Sequence, residues 1–78
     1  MKPIFLQIKT EPGKAYDVAA DLADMEVASE IYSTSGKYDL LVKIYVADDQ
    51  DVGHLIADLA TKLKFVRDTY TIITHKVF

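Results

Sequence analysis

The segment Ser33-Thr34-Ser35-Gly36-Lys37-Tyr38-Asp39-Leu40-Leu41-Val42 gathers the residue types that can hold a small polar molecule. Gly36 is expected to turn the chain with a positive φ and to leave backbone N–H groups open to a ligand. Asp39 puts one carboxylate at the mouth of the apolar strand that follows. Together they suit a ligand with both a carboxylate and an ammonium group. Asp39 would accept from the ammonium. Backbone N–H groups around Gly36 and the hydroxyls of Thr69 and Thr71 would donate to the carboxylate, in charge-assisted bonds stronger than neutral ones. Read from the residues alone, a plainer account is preferred. An aspartate in a turn commonly bonds its own backbone, and threonines in a strand are there for their β-propensity.

Other chemistry-bearing residues point less sharply. Asp48, Asp49 and Asp51 precede a helical pattern but lack the glycine and distal glutamate of a calcium loop, so helix capping is the expected role. His54 and Asp58 stand four apart and are expected to pair on a solvated helix face. His75 falls late in the last strand. No base with an orienting partner and a nucleophile is legible, so no catalytic, metal or cofactor residue is assigned.

The elements that position these residues follow from hydrophobic periodicity. Ile4, Leu6 and Ile8 alternate with Phe5, Gln7 and Lys9, a strand pattern. Thr10-Glu11-Pro12-Gly13 ends it and leads into a helix, with proline tolerated near the helix start. Ala15, Val18, Ala19 and Leu22 then recur at helical spacing. Val27 to Ser35 reads as a second strand and Leu40 to Ala47 as a third. Val52, Leu55, Ile56, Leu59 and Leu63 form the stripe of a second helix, with Lys62 and Lys64 at its negative end. Phe65 to Val77 reads as a fourth strand. The order β-α-β-β-α-β predicts a ferredoxin-like α+β fold: an antiparallel sheet with both helices on one face.

Composition sets the bounds. Residues 1–78 are read as a single domain, half of it hydrophobic and without cysteine. A core of this size rarely supplies more than roughly 3–5 kcal/mol alone. Disulfides and thiolate metal sites are unavailable, which leaves oligomerisation. The net charge of −3 and pI near 5.1 argue against a nucleic-acid surface, whose footprint is basic. No apolar run nears the roughly 20 residues of a membrane span, and Met-Lys-Pro leads straight into a strand, so a soluble cytoplasmic protein is expected. On the third strand Leu40, Val42, Ile44 and Val46 should meet the helices, leaving Leu41 and Tyr45 on the other face with Phe5 of the first strand. A mixed apolar second face marks an interface. A dimer through Phe5, Leu41 and Tyr45 is therefore expected.

At this level the chain resembles the C-terminal effector-binding (RAM) domain of the Lrp/AsnC transcription regulators. The matching stretches are Ile8-Lys9-Thr10-Glu11-Pro12-Gly13-Lys14, Val27 to Tyr32, Gly36-Lys37-Tyr38-Asp39-Leu40-Leu41-Val42-Lys43 and Val66-Arg67-Asp68-Thr69-Tyr70-Thr71. The resemblance implies a dimeric α+β barrel, with rings of dimers (octamer or decamer) as the further assembly. It implies a free amino acid or similar small effector held between dimers by Ser35, Gly36, Lys37, Tyr38 and Asp39, with Thr69 and Thr71. Full-length members carry an N-terminal helix-turn-helix, and Met1 stands just before the first strand here. The stand-alone sensing form is thus expected, without direct DNA binding and with a full-length Lrp/AsnC regulator as a protein partner. The family often has Pro-Gly before the last strand, where this chain has Lys62-Leu63-Lys64-Phe65-Val66, so the turn there should differ in detail. The alternative is a small cofactor-free enzyme of the dimeric α+β barrel, monooxygenase-like type, using His54 or His75. Fold alone does not separate the two, but an enzyme needs an enclosed pocket within each protomer.

Overall fold

A computed structural model describes residues 1–78. Its elements are β1 (Lys2–Thr10), α1 (Ala15–Met25), β2 (Glu30–Ser33), β3 (Leu40–Val46), α2 (Val52–Lys62) and β4 (Val66–Ile73). The sheet order is β2-β3-β1-β4, and all three neighbouring pairs are antiparallel. Each helical connection therefore crosses one intervening strand, as the ferredoxin-like reading predicts.

The period-two pattern decides the faces. Ile4, Leu6 and Ile8 pair with Ile44, Val42 and Leu40, and all six are at most 2% exposed. They meet Val18 and Leu22 of α1 and Ile56, Leu59 and the following Leu63 of α2 in one core. Val18 and Leu22 lie four apart, so they stack on one side of α1.

The ends of the elements have separate causes. Glu11-Pro12-Gly13-Lys14 forms a turn closed by the Lys14 N–H donating to the Glu11 carbonyl at 3.0 Å. Pro12 precedes Gly13 at φ +75°, the residue order of a type II turn. Pro12 is thus a turn residue, and α1 begins only at Ala15. At α2 the Asp51 carboxylate accepts from the His54 N–H at 3.1 Å, the expected cap. Asp58 pairs with Lys62 at 3.0 Å, a correction to the expected His54–Asp58 pair: four residues on, an ammonium on a flexible stem is the stronger partner.

Two strands are shorter than periodicity implies. β2 covers only Glu30–Ser33, because Val27 and Ala28 pack on the core as an approach segment and Thr34 leaves the sheet. β4 begins at Val66, since Phe65 has φ +66° and cannot extend the strand. It stops at Ile73 because the next partner would be Pro3, which has no N–H to donate; the Thr74 hydroxyl instead donates to the Pro3 carbonyl.

Candidate functional site

The chain between β2 and β3 reverses over six residues, Thr34 to Asp39. Thr34 closes the loop. Its N–H donates to the Asp39 carbonyl at 2.9 Å, and its hydroxyl donates to the Tyr38 carbonyl at 2.7 Å. Ser35, Gly36 and Lys37 are exposed at the tip. Gly36 does not adopt a positive φ, contrary to the expectation from its residue type, and a Cβ built there would meet nothing within 4 Å. A six-residue loop spreads the reversal over several residues, so none of them has to be left-handed.

Asp39 sits where the loop joins β3, and its carboxylate does not bond its own turn. Oδ2 accepts from the Thr10 N–H at 2.8 Å and from the Thr10 hydroxyl at 3.2 Å. The Asp39 N–H donates to the Ile8 carbonyl at 2.9 Å. The loop is thereby fastened to the end of β1, the central strand. The Thr10 N–H bond holds the Asp39 carboxyl below the usual carboxylate range, with the Thr10 hydroxyl and Lys9 adding to the effect and burial opposing it. The group is a carboxylate near neutral pH, and both of its hydrogen bonds use Oδ2. Thr10 is itself buried and is the one polar residue of the core. Sequence reasoning missed it: extending the β1–β3 register beyond Ile8 and Leu40 sets Lys9 opposite Asp39 and Thr10 one residue further on.

The loop also leans across the open face of the sheet. Tyr38 stacks on Tyr70 of β4, with ring centroids 6.2 Å apart and planes at 29°, inside the range of favourable aromatic pairs. Lys9 reaches the Lys37 carbonyl with its Nζ at 3.4 Å. Thr69 and Thr71 lie elsewhere. They pair with Ile8 and Leu6 of β1 and so share the helix-side face, half-buried, across β1 from the hairpin. Within one protomer the structure joins Ser35–Asp39 with Thr10 and Tyr70, and does not bring Thr69 and Thr71 to the loop.

The open face carries Pro3, Phe5, Gln7 and Lys9 of β1, Leu41, Lys43 and Tyr45 of β3, Glu30 and Tyr32 of β2, and Tyr70 and Ile72 of β4. Phe5 and Leu41 are half-buried and Tyr45 is exposed. Lys43 lies 3.6 Å from Glu30, and its Nζ stands 5.1 Å from the Tyr45 ring centroid. Tyr45 chiefly raises the Lys43 pKa, with Glu30 adding. The Tyr32 hydroxyl donates to Glu30, which lowers the Glu30 pKa and raises that of Tyr32.

His75 lines a surface groove of about 520 Å³ with Met1, Lys2, Pro3, Thr74 and Lys76. This groove is at the opposite end of β1 from Asp39. His54 is exposed on α2, away from it. No helix is long and apolar enough to cross a membrane.

Comparison with known proteins adds an independent finding. A family model described as the Lrp/AsnC ligand binding domain matches residues 4–78. The HTH-type transcriptional regulator FL11 of Pyrococcus horikoshii is 35% identical over 75 residues, covering 92% of this chain and 49% of that protein. The chain thus spans about half the length of the curated relatives it matches. The crystal structure of FFRP-DM1 superposes with a TM-score of 0.84 at 29% identity, covering 96% of this chain and 100% of that one. A Neisseria meningitidis transcriptional regulator, NMB0573, solved in complex with L-Met, has a TM-score of 0.79 at 17% identity. It matches over 96% of this chain and 50% of its own.

Proposed function

The chain belongs to the Lrp/AsnC ligand-binding domain family, and on that premise we propose that it senses a free amino acid or a similar small effector and acts on transcription regulation without catalysis. One observation carries the reading. Thr10 holds the Asp39 carboxylate ionised through Oδ2, which leaves Oδ1 for a ligand ammonium beside the exposed amides of Ser35, Gly36 and Lys37. The fixed carboxylate costs little reorganisation on binding, the usual route to affinity in a small site. The regulator solved with L-Met shares the fold, which supports an amino acid as the ligand class.

In this reading the unit is a homodimer through the open sheet face, built around Phe5, Leu41 and Tyr45. Dimers assemble further, with Ser35–Asp39 from one dimer and Thr69 and Thr71 from its neighbour enclosing the effector. Thr69 and Thr71, which face away from their own hairpin, are then available to a second dimer. The ligand shifts the assembly by mass action, because it binds the assembled state better than the separate dimers. A full-length Lrp/AsnC regulator, which carries the same kind of domain, is the protein partner.

Titration of the purified protein with the common L-amino acids tests this, read by calorimetry and light scattering together. At least one should bind at up to millimolar concentration and shift the oligomer distribution. Asp39→Ala should weaken that binding about ten- to a hundred-fold, the loss expected for one charge-assisted bond. If no amino acid binds, or if Asp39→Ala binds as well as the parent, the proposal fails.

A further inference from the structure

The groove at the start of β1 exists because of Pro3. The Pro3 carbonyl faces the chain that follows β4 and accepts from the Thr74 hydroxyl. Pro3 has no N–H to donate in return, so the β1–β4 ladder ends at the Ile4–Ile73 pair. Beyond that pair the two segments part. Met1 to Pro3 forms one wall and Thr74 to Lys76 the other, around about 520 Å³. That volume lies within the range of small-molecule sites.

The lining is cationic. Lys2, His75 and Lys76 are three of its six residues, and none of the six is an acid. In a chain of net charge −3 this gathers the minority sign at one place. Lys14, Lys43 and Lys62 each pair with a carboxylate, whereas Lys2 and Lys76 do not. Asp48, which follows β3, lies 3.9 Å from the Met1 amine. It belongs to the other side of β1, because Val46 pairs with Lys2 across the β1–β3 seam. His75 and Lys76 stand beyond the last strand, and their N–H groups have no backbone partner. Two ammonium groups, an imidazole and free amides along one cleft are the donors that an oxyanion takes.

We propose that this groove is a second binding site, for a small phosphate-bearing anion, with Lys2 and Lys76 clamping the phosphate and His75 donating to it. It stands apart from the effector reading: the length of β1, about 26 Å, separates it from Asp39. A single phosphate leaves much of the groove open, which gives room for pyrophosphate or for the organic part of a phosphate ester. A nucleic acid suits it less well. A duplex presents a long row of phosphates, and an acidic protein with two lysines in one short groove repels most of them.

Calorimetric titration with inorganic phosphate, pyrophosphate and ATP tests it on the parent and on Lys2→Gln, Lys76→Gln, Lys64→Gln and Pro3→Ala. Pyrophosphate and ATP should bind the parent at millimolar concentration or below. Lys2→Gln and Lys76→Gln should each weaken that binding about tenfold, the loss of one charge-assisted bond. Lys64 is exposed and lies outside the groove, so Lys64→Gln should leave binding as it is. Pro3→Ala supplies a donor opposite Thr74, so β4 should extend, narrow the groove and weaken binding with every charge retained. ATP binding more tightly than pyrophosphate supports a phosphate ester as the ligand, and equal affinities support the phosphate group alone. The proposal is overturned if neither pyrophosphate nor ATP binds the parent at millimolar concentration. It is overturned as well if Lys64→Gln weakens binding as much as Lys2→Gln, or if Pro3→Ala binds as well as the parent, since loose surface charge would then account for the binding. A short DNA duplex that binds more tightly than either small anion overturns it in favour of a nucleic-acid surface.

Discussion

The Asp39 carboxylate accepts both the N–H and the hydroxyl of Thr10, at 2.8 and 3.2 Å, and so joins the β2–β3 loop to the central strand β1. The bond pair lowers the folded-state pKa of Asp39. A carboxyl with a depressed folded pKa favours folding fully above its unfolded value, near 4, and loses that contribution as pH falls through the folded value. The parent's Tm should therefore exceed that of Asp39→Asn between about pH 5 and 7, and the gap should close on acidification below about pH 4. Thermal unfolding of the two proteins across this range checks the sign. A gap that widens in acid would show that the Thr10 bonds do not stabilise the charged form.

The two turn glycines should respond oppositely to a methyl group. Gly13 has φ +75°, so Gly13→Ala forces an L-residue into the left-handed region and should cost roughly 1–2 kcal/mol. Gly36 has open space around it and no such constraint, so Gly36→Ala should change stability by less than about 0.5 kcal/mol. Urea unfolding with a common m-value distinguishes them.

Leu6 lies at the centre of the sheet between Val42 and Thr71, 1% exposed. Leu6→Ala removes buried methyl groups and leaves a cavity, at a cost of about 2–5 kcal/mol. That approaches the roughly 3–5 kcal/mol a core of this size supplies, so the variant should be largely unfolded by circular dichroism. Ile8→Val, which deletes one methylene, should cost about 0.5–1.5 kcal/mol and stay folded.

A charge placed on the open sheet face tests the dimer. Leu41 is half-buried beside Gln7 and Tyr32, and a lysine there would be desolvated without a partner in a face-to-face dimer. Leu41→Lys or Tyr45→Lys should sediment as a monomer at micromolar concentration, while the parent sediments as a dimer. A parent that is itself a folded monomer would falsify the assignment of this face.

Much of the fold was legible because it depends on local periodicity. The alternation of Ile4, Leu6 and Ile8, repeated in Leu40 to Val46, set the buried face and the sheet orientation, and the helical stripe through Ile56, Leu59 and Leu63 oriented α2. The candidate site was legible only in part. The Gly-Lys-Tyr-Asp hairpin stood out as chemistry, but the partner of Asp39 depends on the pairing of two strands distant in sequence. Gly36 misled because residue type was read as conformation, whereas loop length governs. Thr69 and Thr71 share the helix-side face with Ile8 and Leu6, so their grouping with the hairpin rests on assembly between dimers, which the periodicity of one chain does not carry. The left-handed Phe65 was invisible, since its backbone is held by a bond to Glu11 across the chain.

The strand order β2-β3-β1-β4 has a kinetic consequence. β2 and β3 are joined by a short loop, so their pairing carries a small closure entropy. β1 and β4 come from opposite ends of the chain, and the Thr74–Pro3 bond spans 71 residues. Loop-closure entropy grows with length, and distant pairings are the slow ones. The β1–β4 seam is therefore expected to close last, with low φ-values at Thr71 and Ile73 against higher ones at Ile31 and Val42. Thr10, which anchors Asp39, sits in that seam opposite Val66. Its bond to Asp39 lies on the β3 side of β1 and forms with that pairing, so φ-values at Thr71 above those at Ile31 would contradict this order.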